Sequence, residues 1–186
     1  MIGLEMMLIA SIIFFAVLGM VRGFLKELGV TLPLLVMLLL MTQIEQLIGE
    51  ENVPELVSDA LSFLGTTLEP ETQHLLLVGL YTLVIGIVTF AAYHGETLAY
   101  KGKPPKGVVG WALGVLVGAM NGYLFAGTIW FYLDKYKYPL DRYPWFESQY
   151  MTGFANDLVP FLPPALLSGL ILIFLVGGLI WLRIAR

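Results

Sequence analysis

Cysteine is absent from all 186 residues. Disulfides, thiolate metal centres, attached c-type haem and thiol nucleophiles are therefore excluded. Histidine occurs only twice, too few for a multi-histidine metal centre within one chain. Charge is the third shortage: charged residues make up 13% of the chain, where a typical soluble domain carries about 25%. Hydrophobic residues make up 58%, and mean hydropathy is +0.83. That balance excludes an ordinary water-soluble domain. It also excludes disorder, which needs much charge and little hydrophobicity. The net charge is −4, without the concentrated basic patch that would make nucleic acid an expected partner.

What the chain does have is long apolar runs. A bilayer core about 30 Å thick takes roughly 20 helical residues to cross. Five segments meet or approach that length: 2–21, 28–44, 75–93, 108–133, and one from 162 or 165 to 182. The second is the weakest. Its uninterrupted apolar run covers only 32–41 and Pro33 interrupts its entry, so a short span or a re-entrant segment is expected there. Helices are expected because backbone groups in lipid must satisfy one another. A membrane β-barrel would alternate apolar and polar residues, and ILIFLVGGLIWL at 171–182 does not. The expected fold is all-α: one polytopic transmembrane bundle over 1–186, of about five helices, with the lipid bilayer as its first partner.

The basic residues sort by side. If five helices alternate, Arg22, Lys26, Lys101, Lys103, Lys106, Arg183 and Arg186 share one face, and Lys135, Lys137 and Arg142 take the other. Positive-inside logic puts the N-terminus outside and the C-terminus in the cytoplasm. Most acids fall outside, and only Glu27 and Glu96 fall inside. Arg22 follows the first apolar run and no basic residue precedes it, so 2–21 reads as a retained helix and not a cleaved signal.

The connecting segments carry their own patterns. Val53, Leu56, Val57, Ala60, Leu61 and Leu64 recur at helical spacing, with Asn52 placed to cap, Glu55 three residues on, and Gly65 after the end. A short amphipathic helix is expected on the outer face, packed on the bundle or lying in the headgroups. Its acids argue against attraction to anionic lipid. The cytoplasmic loop 94–107 is stiffened by Pro104 and Pro105. The outer stretch 134–161 is rich in rings: Tyr136, Tyr138, Tyr143, Trp145, Phe146 and Tyr150 follow Trp130, Phe131 and Tyr132. Aromatic residues favour the membrane–water boundary, so this segment is expected to lie along it. Pro163 and Pro164 then open the fifth span.

Glycine is abundant, at 20 residues. Gly110, Gly114, Gly118 and Gly122 stand four apart on the fourth span, and Ala126 continues the series. Small residues at that spacing let two helix backbones approach closely. Partners within the chain are Gly19 and Gly23 at the end of the first span and Gly79 and Gly86 on the third; self-association with a second copy or another membrane protein is the alternative. Few polar side chains enter the spans. Glu5 is expected to reach back to the outer boundary, with an ion- or proton-handling role as the sharper reading. Asn121 is expected to hydrogen-bond a neighbouring helix. Arg22 and Lys26, one turn apart, are expected to hold the cytoplasmic boundary or to meet a partner there.

No catalytic constellation emerges. His74 and His94 bracket the third span, roughly 30 Å apart. His94-Gly95-Glu96 is not an HExxH motif, and GKPPKG at 102–107 is not a P-loop. Neither an enzyme nor a bound cofactor or metal is expected.

Three stretches together resemble the colicin V production protein family of bacterial inner-membrane proteins: the acid at Glu5, LGMVRGFLKEL at 18–28 with its Arg22-Gly23-Phe24, and VVGWALGVLVGAMNGYLFAGTIWFYLD at 108–134. The resemblance covers about residues 1–134, leaving the aromatic loop 134–161 and a helix at about 162–184 as additions to a four-helix core. Two positions depart from it: Lys106-Gly107 stands where the family often has Asp-Arg, and Asn121 where it often has Arg. The resemblance implies a non-enzymatic plasma-membrane protein that supports secretion, including colicin export, or envelope maintenance. A small oligomeric channel or transporter, with Glu5 and Asn121 in its polar path, is the alternative.

Overall fold

A chain with so little charge has to satisfy its backbone within its own elements. In the computed structural model every regular element among the described residues is a helix. The described residues are 3–63, 69–95, 100, 102–140, 153–167 and 169–184. In order the helices are α1 (Leu4–Arg22), α2 (Phe24–Ile48), α3 (Asn52–Phe63), α4 (Pro70–His94), α5 (Gly107–Lys135), α6 (Gly153–Leu158), α7 (Pro163–Leu166) and α8 (Gly169–Ile184), with a 3₁₀ turn at Val159–Phe161. Helices α1, α2, α4 and α5 are each long and apolar enough to cross a bilayer. The chain is a multi-pass membrane-embedded protein.

The helices alternate in direction. One end of the bundle, the basic end, gathers Arg22, Lys26, Lys103, Lys106 and Arg183. The other, the acidic end, gathers Glu45, Glu50, Glu71 and Asp134.

The second span departs most from its sequence pattern. It is neither short nor re-entrant: α2 runs unbroken for 25 residues with Pro33 inside it. It is also the central helix. Of its apolar stretch 61% is buried, against 22%, 28% and 33% for α1, α4 and α5. A helix enclosed by protein can carry polar residues near its ends, and neighbours can satisfy the groups a proline frees. Glu27, Thr31 and Glu45 therefore lie inside the fold, where hydropathy takes them as flanks.

The fifth span is divided. Pro163 and Pro164 open the single turn α7, and the 16-residue α8 follows. Helix α8 still runs the depth of the bundle beside α2. Gly169 lies against Gln43 near the acidic end of α2. At the basic end the Tyr100 hydroxyl donates to the Leu179 carbonyl at 2.8 Å, and the Tyr100 amide donates to the Leu25 carbonyl at 3.3 Å. Burial raises the pKa of the Tyr100 hydroxyl, which keeps it a donor. Leu172 and Val176 of α8 are buried and Leu179 packs on the same core, while most of its other apolar side chains are exposed.

The glycine ladder packs on α1 of the same chain. A methyl group placed on Gly19 would collide with the Gly114 carbonyl, and one on Gly118 with the Phe15 carbonyl. At Gly114 it would meet the Gly19 carbonyl at 2.6 Å, and at Gly122 the Ser11 carbonyl at 2.8 Å. The two backbones touch along three turns, antiparallel. Gly110 instead abuts the Pro105 carbonyl. Gly79 and Gly86, expected as a packing stripe on α4, have open space where a side chain would stand. Gly23 has the same open space, and its importance is conformational. At φ +87° it closes α1, donating to the Gly19 carbonyl at 2.9 Å, and turns the chain into α2. With ψ at 158° this conformation is essentially confined to glycine, and a residue with a Cβ pays about 1–3 kcal/mol for it.

The ring-rich segment also differs from its expectation. Trp130, Tyr132 and Tyr136 are buried in protein and do not line the boundary. Tyr143, Trp145, Phe146 and Tyr150 fall outside the described residues, as do Leu64, Gly65, Lys101, Arg142, Arg186 and Glu96. Asn52 does not cap α3 from its side chain: its Nδ2 donates back to the Ile48 carbonyl at 2.9 Å.

Because Gly118 meets backbone, which has no alternative rotamer, Gly118→Leu is expected to lower stability by at least the 1–3 kcal/mol of ordinary overpacking. Gly86→Ala, with open space for its methyl group, should not lower it and gains up to about 1 kcal/mol of helix propensity. Thermal unfolding of the two purified variants in detergent checks the contrast.

Candidate functional site

The polar residues singled out from the sequence do not all meet. Lys26 is exposed and faces away from the core. Glu5 is buried near the start of α1, its carboxylate lying close over Gly3. Asn121 stands level with Ser11 and Ile12 of α1, because its neighbour Gly122 packs there. Glu5 is roughly 10 Å away from that level along the helix, so Glu5 and Asn121 do not share a site.

Arg22 and Asn121 do meet, through a residue outside the expected set. Glu27, one turn into α2, is 0% exposed. Its Oε1 lies 3.2 Å from Arg22 Nε. Its Oε2 accepts from Tyr93 Oη at 2.8 Å and from Asn121 Nδ2 at 2.9 Å. Asn121 Nδ2 also reaches the Glu27 backbone carbonyl at 3.2 Å, and Thr31 Oγ1 donates to Asn121 Oδ1 at 2.7 Å. Arg22 Nη1 donates to the Tyr93 carbonyl at 2.9 Å, and the guanidinium covers the Tyr93 ring 4.5 Å from its centre. One carboxylate thus ties together α1, α2, α4 and α5.

The local sequence explains the placement. Gly23 reverses the chain, so Arg22 at the end of α1 and Glu27 in the first turn of α2 come face to face. Arginine suits this position: its planar fork bonds a carboxylate and a carbonyl together and stacks on an aromatic face. A buried charge is costly unless paired and hydrogen-bonded; here Oε2 accepts two hydrogen bonds, while Oε1 faces the Arg22 charge at 3.2 Å outside hydrogen-bond geometry. The signal that could have found Glu27 was its place beside an apolar run, since acids inside membrane helices are rare and bundle-facing.

A second cluster sits at the acidic end. Glu45, 3% exposed, accepts from Tyr81 Oη at 2.6 Å and from Lys135 Nζ at 2.8 Å. Lys135 also lies 3.5 Å from Glu50. Tyr81 stacks on Tyr132 with ring centres 3.8 Å apart. Burial pushes the Tyr136 hydroxyl up to about 12, so it is neutral. Beside this cluster a cavity of about 390 Å³ opens, lined by Glu71, His74, Tyr136 and Lys137 among others.

Glu27 and Glu45 leave the same face of α2, roughly five helical turns and about 27 Å apart. Between them lie Leu34 and Leu38 of α2, Ile85 of α4 and Leu124 of α5, each 3% exposed or less and part of one apolar core. The hydroxyls at this depth bond inside their own helices, Thr89 to the Ile85 carbonyl and Thr128 to the Leu124 carbonyl. The arrangement is two closed polar clasps with a dry layer between them. Among the described residues no group of three His, Cys, Asp or Glu side chains is placed to hold a metal.

Comparison with protein-family models, with curated proteins and with solved structures finds no match to this chain.

Removing one member of a buried pair strands the other, at a typical cost of about 3–5 kcal/mol. Arg22→Gln is therefore expected to destabilise the protein on that scale, while Lys26→Gln leaves it unchanged. Adding Glu27→Gln to Arg22→Gln should restore part of the loss. A double-mutant cycle from thermal unfolding in detergent reads this directly; additive losses would mean that the two residues do not interact.

Proposed function

We propose that this protein is a non-enzymatic scaffold or accessory of the bacterial plasma membrane, supporting secretion or envelope maintenance. The dry layer formed by Leu34, Leu38, Ile85 and Leu124 carries this reading. A channel or transporter needs a polar path, and in a single chain that layer separates the buried carboxylates of Glu27 and Glu45. The expected path through Glu5 and Asn121 lacks support for the same reason: the two lie at different depths, and Asn121 is engaged by Glu27 and Thr31.

The likeness to the colicin V production protein family supports the envelope role. Of the three stretches that carry it, 18–28 supplies Gly19 to the helix contact, Gly23 to the turn, and Arg22 and Glu27 to the ion pair. Residues of that segment are thus the ones on which the packing depends. The proposed orientation follows the charges, with the basic end in the cytoplasm, the N-terminus outside and the C-terminus inside.

Proton entry into dye-loaded proteoliposomes is expected to match that of protein-free vesicles. A proton leak abolished by Glu27→Gln would overturn the scaffold reading in favour of a channel. A strain lacking the protein is expected to be detergent-sensitive and to regain resistance with either Lys103→Cys or Lys137→Cys. The chain has no cysteine of its own, so an impermeant maleimide applied to intact cells should label only position 137. Full resistance in the deletion strain removes the envelope role, and labelling at 103 reverses the orientation.

A further inference from the structure

Helix α3 has three faces. At about 100° per residue, Val53, Val57 and Leu61 fall on one stripe, and this stripe packs on the bundle: Val53 is buried, Val57 joins the main core and Leu61 is half-buried. Glu55, Asp59 and Ser62 form the opposite, exposed stripe. The third stripe is Leu56, Ala60 and Phe63. It is apolar yet open, with Leu56 54% and Phe63 91% exposed. It lies roughly a quarter turn from both the packed and the acidic stripes.

The placement of α3 gives that stripe a direction. Gly49, at φ +86°, turns the chain out of α2. From there α3 crosses the acidic end of the bundle to the first turns of α4, where Gln73 Nε2 donates to Ser58 Oγ at 3.2 Å. With one stripe down on the helix ends and the acids up, Leu56, Ala60 and Phe63 face sideways at the level where the spans emerge. Helix α2 likewise leaves Leu40, Ile44 and Leu47 exposed just before the turn.

From an open apolar stripe on a helix packed at the ends of the spans we infer that α3 is an interfacial helix, seating Leu56, Ala60 and Phe63 in the headgroup region of the membrane that the bundle spans. The occupant is the bilayer, engaged through apolar area and not through charge, because the polar face of α3 carries acids and no base. Zwitterionic lipid fits that face, and anionic lipid adds nothing. Seating α3 this way fixes the depth of the acidic end, where Glu45 and Lys135 meet.

Spin labels on single cysteines test this in the full chain, which has no native cysteine. The variants are Leu56→Cys, Ala60→Cys, Phe63→Cys, Glu55→Cys and Asp59→Cys, all at exposed positions that the fold does not need. In phosphatidylcholine proteoliposomes, labels at 56, 60 and 63 are expected to collide more with oxygen than with a water-soluble nickel chelate. Their depth should be about 5–10 Å below the phosphates. Labels at 55 and 59 should show the reverse order, and adding phosphatidylglycerol should leave both sets unchanged. Labels at 56, 60 and 63 reached mainly by nickel would overturn the inference by placing the stripe in water. Labels shielded from both reagents would overturn it too, by showing a protein partner or a second copy on the stripe.

Discussion

A carboxylate inside a membrane protein has to be given partners by the surrounding helices, and Glu27 draws on three of them. Arg22 comes from the end of α1, Tyr93 from α4 and Asn121 from α5, whose amide oxygen is held in turn by Thr31 of α2. Each contact fixes a helix in both rotation and depth, because hydrogen bonds tolerate little sliding. The apolar packing around the network has no such register. Leucine against leucine in lipid is nearly neutral to rotation, since lipid tails are as apolar as the side chains. The polar network therefore selects one arrangement among many that would bury similar apolar area.

The close contact of α1 with α5 works with this network. Gly19, Gly114, Gly118 and Gly122 let the two backbones touch, which brings Arg22 of α1 and Asn121 of α5 to the same carboxylate. Dispersion over a long, tight surface holds the pair together, while the ion pair and Asn121 fix its register. At the opposite end Glu45, Lys135 and Tyr81 repeat the device. Helix α2 is thus clasped near both ends, and its middle packs dry.

Much of this was legible from residue order. Three of the four long spans, the amphipathic α3 and the tight face of α5 follow from apolar run length and from small residues every four positions. The same reasoning misplaced α2, because hydropathy treats Glu27 and Glu45 as marks of where a span ends. That rule holds for a helix facing lipid and fails for one enclosed by other helices, where a charge can be paired. It misread Gly79 and Gly86 for a related cause: a small residue permits close approach but does not bring a neighbour. The tyrosines of α5 were read as boundary anchors, yet Tyr132 stacks inside the fold on Tyr81. Ring composition does not distinguish an interface belt from a packed aromatic layer.

The sequence by itself determined that the chain lives in a membrane, how its helices alternate, and which faces can approach closely. Each is a property of one segment at a time: its length, its charge or its small-residue spacing. Only the tertiary structure decided which helix is central, which carboxylate is buried and what Arg22 and Asn121 are for. Those depend on side chains as far apart in the chain as Glu27 and Asn121, brought to 2.9 Å by packing that no single segment encodes.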